Sequence, residues 1–136
     1  MTTASPKSHI FISYARKDSK VADDLQTRLR QRGIEVWVDR SRLVPGAAWP
    51  EGLRRAVEGC DAMLVLLSPA SLASEFVRRE YLHALSLGKV IIPVVIGKVE
   101  AFPEELRDVQ WIDLTQQSGQ GYYDLLLALD AHGLML

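Results

Sequence analysis

Residues 62–67 read Ala-Met-Leu-Val-Leu-Leu, six apolar side chains in a row with no alternation. A strand with one face in water would alternate, so this one is covered on both faces. A sheet of such strands needs helices above and below it, and the chain supplies them in turn. HIFISY (9–14) reads as a first buried strand, EVWV (35–38) as a second, VIIPVVI (90–96) as a fourth and WIDL (111–114) as a weak fifth. Between the first two, Asp18 or Ser19 caps a helix that carries Val21, Ala22, Leu25 and Leu29 inward and stops at Gly33. Pro50 and Glu51 suit the first turn of a second helix, which ends near Gly59. A third helix runs from about Glu75 to Gly88, and YYDLLLALDAHG forms the last. SPASLAS (68–74) reads as a loop and cap, and EAFPEELRD (100–108) holds at most a short helical turn. Pro93 lacks a ladder donor, which places it near an edge or a bulge. The predicted fold is α/β: one flavodoxin-like, doubly wound domain with a five-stranded parallel sheet in the order 2-1-3-4-5.

That order makes the first and third strands neighbours at the switch point, and ligands of such sheets bind outside the carboxyl ends there. The segments delivered to it are Tyr14-Ala15-Arg16 and residues 68–74, with Asp39 and the long loop behind it alongside. Other readings of this architecture fail on the residues. No GxGxxG follows the first strand and no GxxxxGK[ST] occurs, which argues against a hydride-transfer dehydrogenase and a P-loop NTPase. The strand ends SYARKD and SPAS lack the acidic pair and phospho-accepting Asp of a response regulator, and Ser68 lacks a GxSxG setting. His9, His83 and His132 have no metal-ligand spacing, so no metal is expected and all three read as structural or exposed. With a net charge of −1, nothing points to a nucleic-acid or anionic-membrane surface. Cys60 is a lone cysteine, MTTASPKS (1–8) lacks the apolar core of a signal peptide, and no apolar run reaches the roughly 18 residues of a membrane span. A cytoplasmic setting is therefore expected. Residues 1–8 read as a flexible tail, 9–133 as the domain, and 134–136 as the start of a linker in a longer protein.

SEFVRRE (74–80) contains two glutamates with different surroundings. Each helical residue turns about 100°; with Val77 at zero, Tyr81, Ala84 and Gly88 fall within about 40° and form the core stripe. Glu75 lies about 160° away, with Arg79 four residues on, as in a solvated surface pair. Glu80 lies about 60° from the stripe, with no basic residue at i−4 or i+4. A carboxylate there either snorkels to the rim or is held at a desolvation cost that marks a functional group. Geometry alone leaves both open. Elsewhere, Trp37 and Trp111 read as strand packing, Trp49 as either a stacking group or a lid, and Asp39 as a loop cap or a ribose-positioning group.

FISYARKD, GIEVWVDR, SRLVPGAAW leading into LRRAVEGCD, LVLLSPASLAS, EFVRREYLHAL and VIIPVVI follow one another in an order and spacing that resembles the Toll/interleukin-receptor (TIR) domain family. The resemblance covers nearly the whole chain and implies the same flavodoxin-like fold. Some TIR domains act only by binding other TIR domains; others, mainly bacterial, plant and axonal, hydrolyse NAD. The enzymatic ones carry a glutamate early in the third helix, usually four residues after a tryptophan. Glu80 matches that glutamate, and Phe76 stands where the tryptophan usually is. The resemblance implies an NAD+ glycohydrolase or cyclase, with Glu80 catalytic, NAD+ as substrate and no cofactor. It is the expected effector domain of a bacterial immune or virulence protein activated by self-association. By the same resemblance the nicotinamide riboside end sits against Tyr14, Ala15 and Arg16 and the loop holding Arg42, Leu43 and Trp49. Asp39, Ser68, Ser71 and Phe76 complete the expected substrate-binding set, and Arg16, Arg40 and Arg42 are candidates for the pyrophosphate. The loop 39–49 is the expected contact with other TIR domains, in a homo-oligomer or filament. The alternative is a non-catalytic TIR–TIR interaction module.

Overall fold

A computed structural model of the chain describes residues 9–38, 51–116 and 119–134. Five strands form one parallel sheet: β1 (His9–Ser13), β2 (Glu35–Trp37), β3 (Ala62–Leu67), β4 (Val90–Val95) and β5 (Ile112–Asp113), in the order β2-β1-β3-β4-β5. Among the described residues, five α-helices connect or follow them: α1 (Ser19–Gln31), α2 (Glu51–Gly59), the single turn α3 (Pro69–Leu72), α4 (Glu75–Ser86) and α5 (Gln120–Ala131). This is the flavodoxin-like winding that the alternation of strand and helix patterns predicts.

The unalternating run of β3 is explained by two cores. Leu64 and Leu66 face one, with Ile10 and Ile12 of β1, Ala22, Leu25 and Leu29 of α1, and Leu125, Leu126 and Leu129 of α5. Met63, Val65 and Leu67 face the other, with Phe11, Leu53 and Val57 of α2, and Val77, Tyr81 and Ala84 of α4. Cys60 is buried in this second core, and burial pushes its thiol up to about 11.

Pro93 sits in β4 opposite Val65 of β3. The Ile96 N–H turns toward β3, donating to Leu67, while the Val95 carbonyl turns toward β5, accepting from Leu114. By alternation the ring nitrogen of Pro93 lies on the β5 side, and β5 pairs only with Val94 and Val95. The missing donor thus falls where the sheet is locally an edge, as the sequence indicated.

Trp37 stacks on Phe11 with ring centroids 5.2 Å apart, which is the expected strand packing. Trp111 corrects the same expectation. It precedes β5, is 50% exposed, and lies at a 46° tilt to Phe102 with centroids 5.8 Å apart. An edge strand of two residues has too little sheet to cover an indole. No described helix is long and apolar enough to cross a membrane.

Candidate active site at the carboxyl ends of β1 and β3

Neighbouring strands bring two loops together. Ser13, the last residue of β1, is in register with Val65 of β3. After β1 the chain runs through Tyr14 and Ala15 into a 3₁₀ turn, Arg16–Asp18; after β3 it runs through Ser68 into α3. One bond ties the two segments, the Ser68 hydroxyl donating to Asp18 Oδ2 at 2.5 Å. Asp18 does occupy the N-cap position of α1, but its side chain makes no cap hydrogen bond. The turn before it leaves Asp18 at φ −100°, ψ 13°, away from the extended conformation usual for a capping residue, and the carboxylate accepts from Ser68 instead.

Several residues of the expected substrate-binding set make hydrogen bonds within the fold. The Ser68 N–H donates to Ser71 Oγ at 2.8 Å and the Ser71 N–H to Ser68 Oγ at 3.1 Å, a reciprocal capping box that starts α3. The Tyr14 ring packs in the first core, and its hydroxyl donates to the Val38 carbonyl at 2.8 Å. Ala15 is buried, while Arg16 is exposed. Asp39, Arg40, Arg42, Leu43 and Trp49 lie outside the described residues.

The Ser74 side chain accepts from the Val77 N–H at 3.2 Å and starts α4. One turn on, the two glutamates separate as their helix faces require. Glu75 is exposed, as is Arg79. Glu80 does not snorkel; it is 0% exposed and shares the inner face with Val77, Tyr81 and Ala84. Ser13, equally closed to solvent, donates its hydroxyl to Glu80 Oε1 at 2.7 Å. The sequence reading missed Ser13, although period-two alternation points to it: Phe11 faces the second core, so Ser13 must face the same way. A hydroxyl on the inward face of a buried strand needs a partner. Phe76, one turn before Glu80, is half-buried and packs against the second core.

Behind this face of α4 lies a cleft of about 310 Å³ that Glu80 does not line. There the Tyr81 hydroxyl donates to Glu105 Oε1 and the Arg78 guanidinium to Oε2, both at 3.1 Å. Burial, reinforced by the Glu105 charge, pushes the Tyr81 phenol up to about 12, and the Arg78 hydrogen bond holds Glu105 below the usual carboxylate range. This group braces α4 against the segment after β4.

The family model described as TIR domain matches residues 10–127. The chain belongs to the TIR domain family. Among relatives of this TIR domain, the NAD(+) hydrolase sarm1 of Drosophila melanogaster is 30% identical over 114 residues, 74% of this chain and 8% of that protein. The probable 2' cyclic ADP-D-ribose synthase BdTIR of Brachypodium distachyon is 31% identical over 87 residues, 62% of this chain and 39% of that protein. This TIR domain thus spans less than half the length of both curated relatives. Among solved structures, the TIR domain of the Toll-related receptor TRR-2 from Hydra magnipapillata superposes with a TM-score of 0.73 at 22% identity, covering 89% of this chain and 97% of that one. At that identity the likeness is one of fold.

Proposed function

We propose that this TIR domain is an NAD+ glycohydrolase or cyclase that cleaves the nicotinamide–ribose bond, with Glu80 as its catalytic carboxylate. The observation that carries the reading is the burial of Glu80: a carboxylate fully desolvated on an apolar helix face, beside the carboxyl ends of β1 and β3, where this fold class binds ligands. The relatives named for NAD hydrolysis and cyclic ADP-ribose synthesis support it.

One carboxylate is enough for this chemistry. Glycosidases generally need a second, because an alkoxide leaves poorly without a proton. Nicotinamide leaves NAD+ as a neutral molecule, and what remains is an oxocarbenium-like ribosyl cation. A carboxylate facing that cation stabilises charge that develops only in the transition state. Water then gives ADP-ribose, or a nucleophile within the same molecule gives a cyclic product.

Because Glu80 is closed to solvent, its surroundings must rearrange before NAD+ can touch it. That is the behaviour of a domain switched on by assembly, and we place the contact between copies at the loop 39–49. Eleven residues is long for a βα connection, where about two to six is usual. Specific activity is therefore expected to rise with protein concentration in a dilution series followed by light scattering, and Leu43→Asp to lower it in a folded domain. Constant turnover per molecule by a strict monomer across the series would refute assembly. The setting in a bacterial immune or virulence protein rests on the resemblance alone.

The direct test is to incubate the concentrated protein with NAD+ and measure free nicotinamide. None at any concentration would leave the second reading, a non-catalytic TIR–TIR module. Phe76 offers a finer test. If its ring braces Glu80 or stacks on substrate, Phe76→Ala is expected to lower turnover roughly 10- to 100-fold and Phe76→Trp to preserve it. A folded, fully active Phe76→Ala domain would remove the residue from the site.

A further inference from the structure

We propose that Ser13 is a positioning residue for the reaction, its hydroxyl fixing the Glu80 carboxylate in the orientation it presents to the ribosyl group. The proposal rests on the glycohydrolase reading for its chemistry and on the Ser13–Glu80 bond for its geometry.

β1 alternates between the two cores, with Ile10 and Ile12 on one side and Phe11 on the other. Ser13 takes the next place on the Phe11 side, where an apolar residue would continue the pattern. α4 mirrors this with Val77, Tyr81 and Ala84 around Glu80. Two apolar stripes each carry one polar residue, and the two polar residues meet at 2.7 Å with 0% exposure on both. Structural need does not explain the coincidence. Apolar groups of similar shape at both positions would serve stability equally well or better, since desolvating a carboxylate offsets most of what its hydrogen bonds contribute. What the bond does supply is direction. A glutamate has three side-chain torsions, and a short hydrogen bond from a β-strand serine removes the freedom of the last ones. Ser13 itself sits on the central part of the sheet, paired with β3, so the donor is on a rigid element.

A positioning group acts on the chemical step more than on substrate affinity. Ser13→Ala is expected to lower kcat by roughly 10- to 100-fold with KM changed less than about twofold, as a misplaced reacting group does. A readout independent of turnover is the carboxylate stretch of Glu80 in protein carrying 13C-labelled glutamate, assigned by its disappearance in Glu80→Gln. That infrared band should shift in Ser13→Ala. Ser13→Thr and Ser13→Val have one shape and differ by the hydroxyl, so they separate the bond from packing even where Ser13→Ala folds poorly. Thr is expected to keep the band and recover turnover, and Val to do neither. An unshifted band in Ser13→Ala and Ser13→Val, or equal turnover in the Thr and Val variants, would overturn the assignment. Should the unsubstituted domain release no nicotinamide at any concentration, the glycohydrolase reading alone fails, and the band still decides whether Ser13 holds Glu80.

Discussion

Glu80→Gln is expected to reduce nicotinamide release by at least about 10²- to 10³-fold, the usual cost of losing one group that stabilises transition-state charge. Glutamine keeps the shape of the side chain and an acceptor oxygen for the Ser13 hydroxyl, so the apolar surroundings of Glu80 stay filled. It lacks the negative charge that the ribosyl cation requires. Circular dichroism and the melting temperature should therefore change little while activity disappears. Glu75→Ala is the matched control. The same residue type on the same helix is removed, but from the exposed face, and most of the activity should persist. Equal losses in the two variants would mean that activity follows the integrity of α4 and not a particular carboxylate. No loss in either would remove Glu80 from the mechanism.

Gly121→Ala is expected to be the most destabilising single-methyl change on the outer edge of the fold. Gly121 lies in the first turn of α5 against β5, and a Cβ there would stand 2.1 Å from the Asp113 carbonyl oxygen and 2.8 Å from Leu114 Cδ2. The first of these is backbone and has no rotamer to escape into. Alanine gains up to about 1 kcal/mol over glycine in a helix interior, and less in the first turn. Overpacking against backbone costs about 1–3 kcal/mol or more, so the clash wins. At about 4 °C per kcal/mol for a domain of this size, the melting temperature should fall by roughly 4–12 °C. Gly52→Ala is the control, since a Cβ there meets none of the described residues within 4 Å. It should melt at or slightly above the unsubstituted domain. A Gly121→Ala melt no lower than the original would show that α5 can lift off β5 at little cost.

The winding of the sheet was legible because it is written in local periods. Six unalternating apolar residues at 62–67 demand cover on both faces, and each helix announces its own stripe and stop. The separation of Glu75 from Glu80 was legible for the same reason, since both lie on one helix and only the angle between them matters. What stayed hidden depends on residues distant in sequence. The bond from Ser13 spans 67 residues and the bond from Ser68 to Asp18 spans 50. Pattern rules confined to one element cannot choose such partners. Asp18 carries the right residue for a helix cap, yet tertiary competition redirects its carboxylate. Trp111 has a strand former's composition, but β5 is too short to bury it. The closeness of α5 to β5 at Gly121 leaves no trace in the periodicity at all.

The 67-residue span also sets a timetable. At ribosomal speeds of about 5–20 residues per second, β1 is made roughly 3 to 13 seconds before Glu80 joins the chain. Through that interval the strand that will hold the carboxylate exists without it, and the two side chains can meet only once α4 lies against β1. The bond has a high contact order, so it forms with the global fold and not ahead of it. Whatever chemistry the carboxylate performs is thereby withheld from nascent and half-folded chains. The Ser13–Glu80 pair is thus present only in molecules that have completed the sheet.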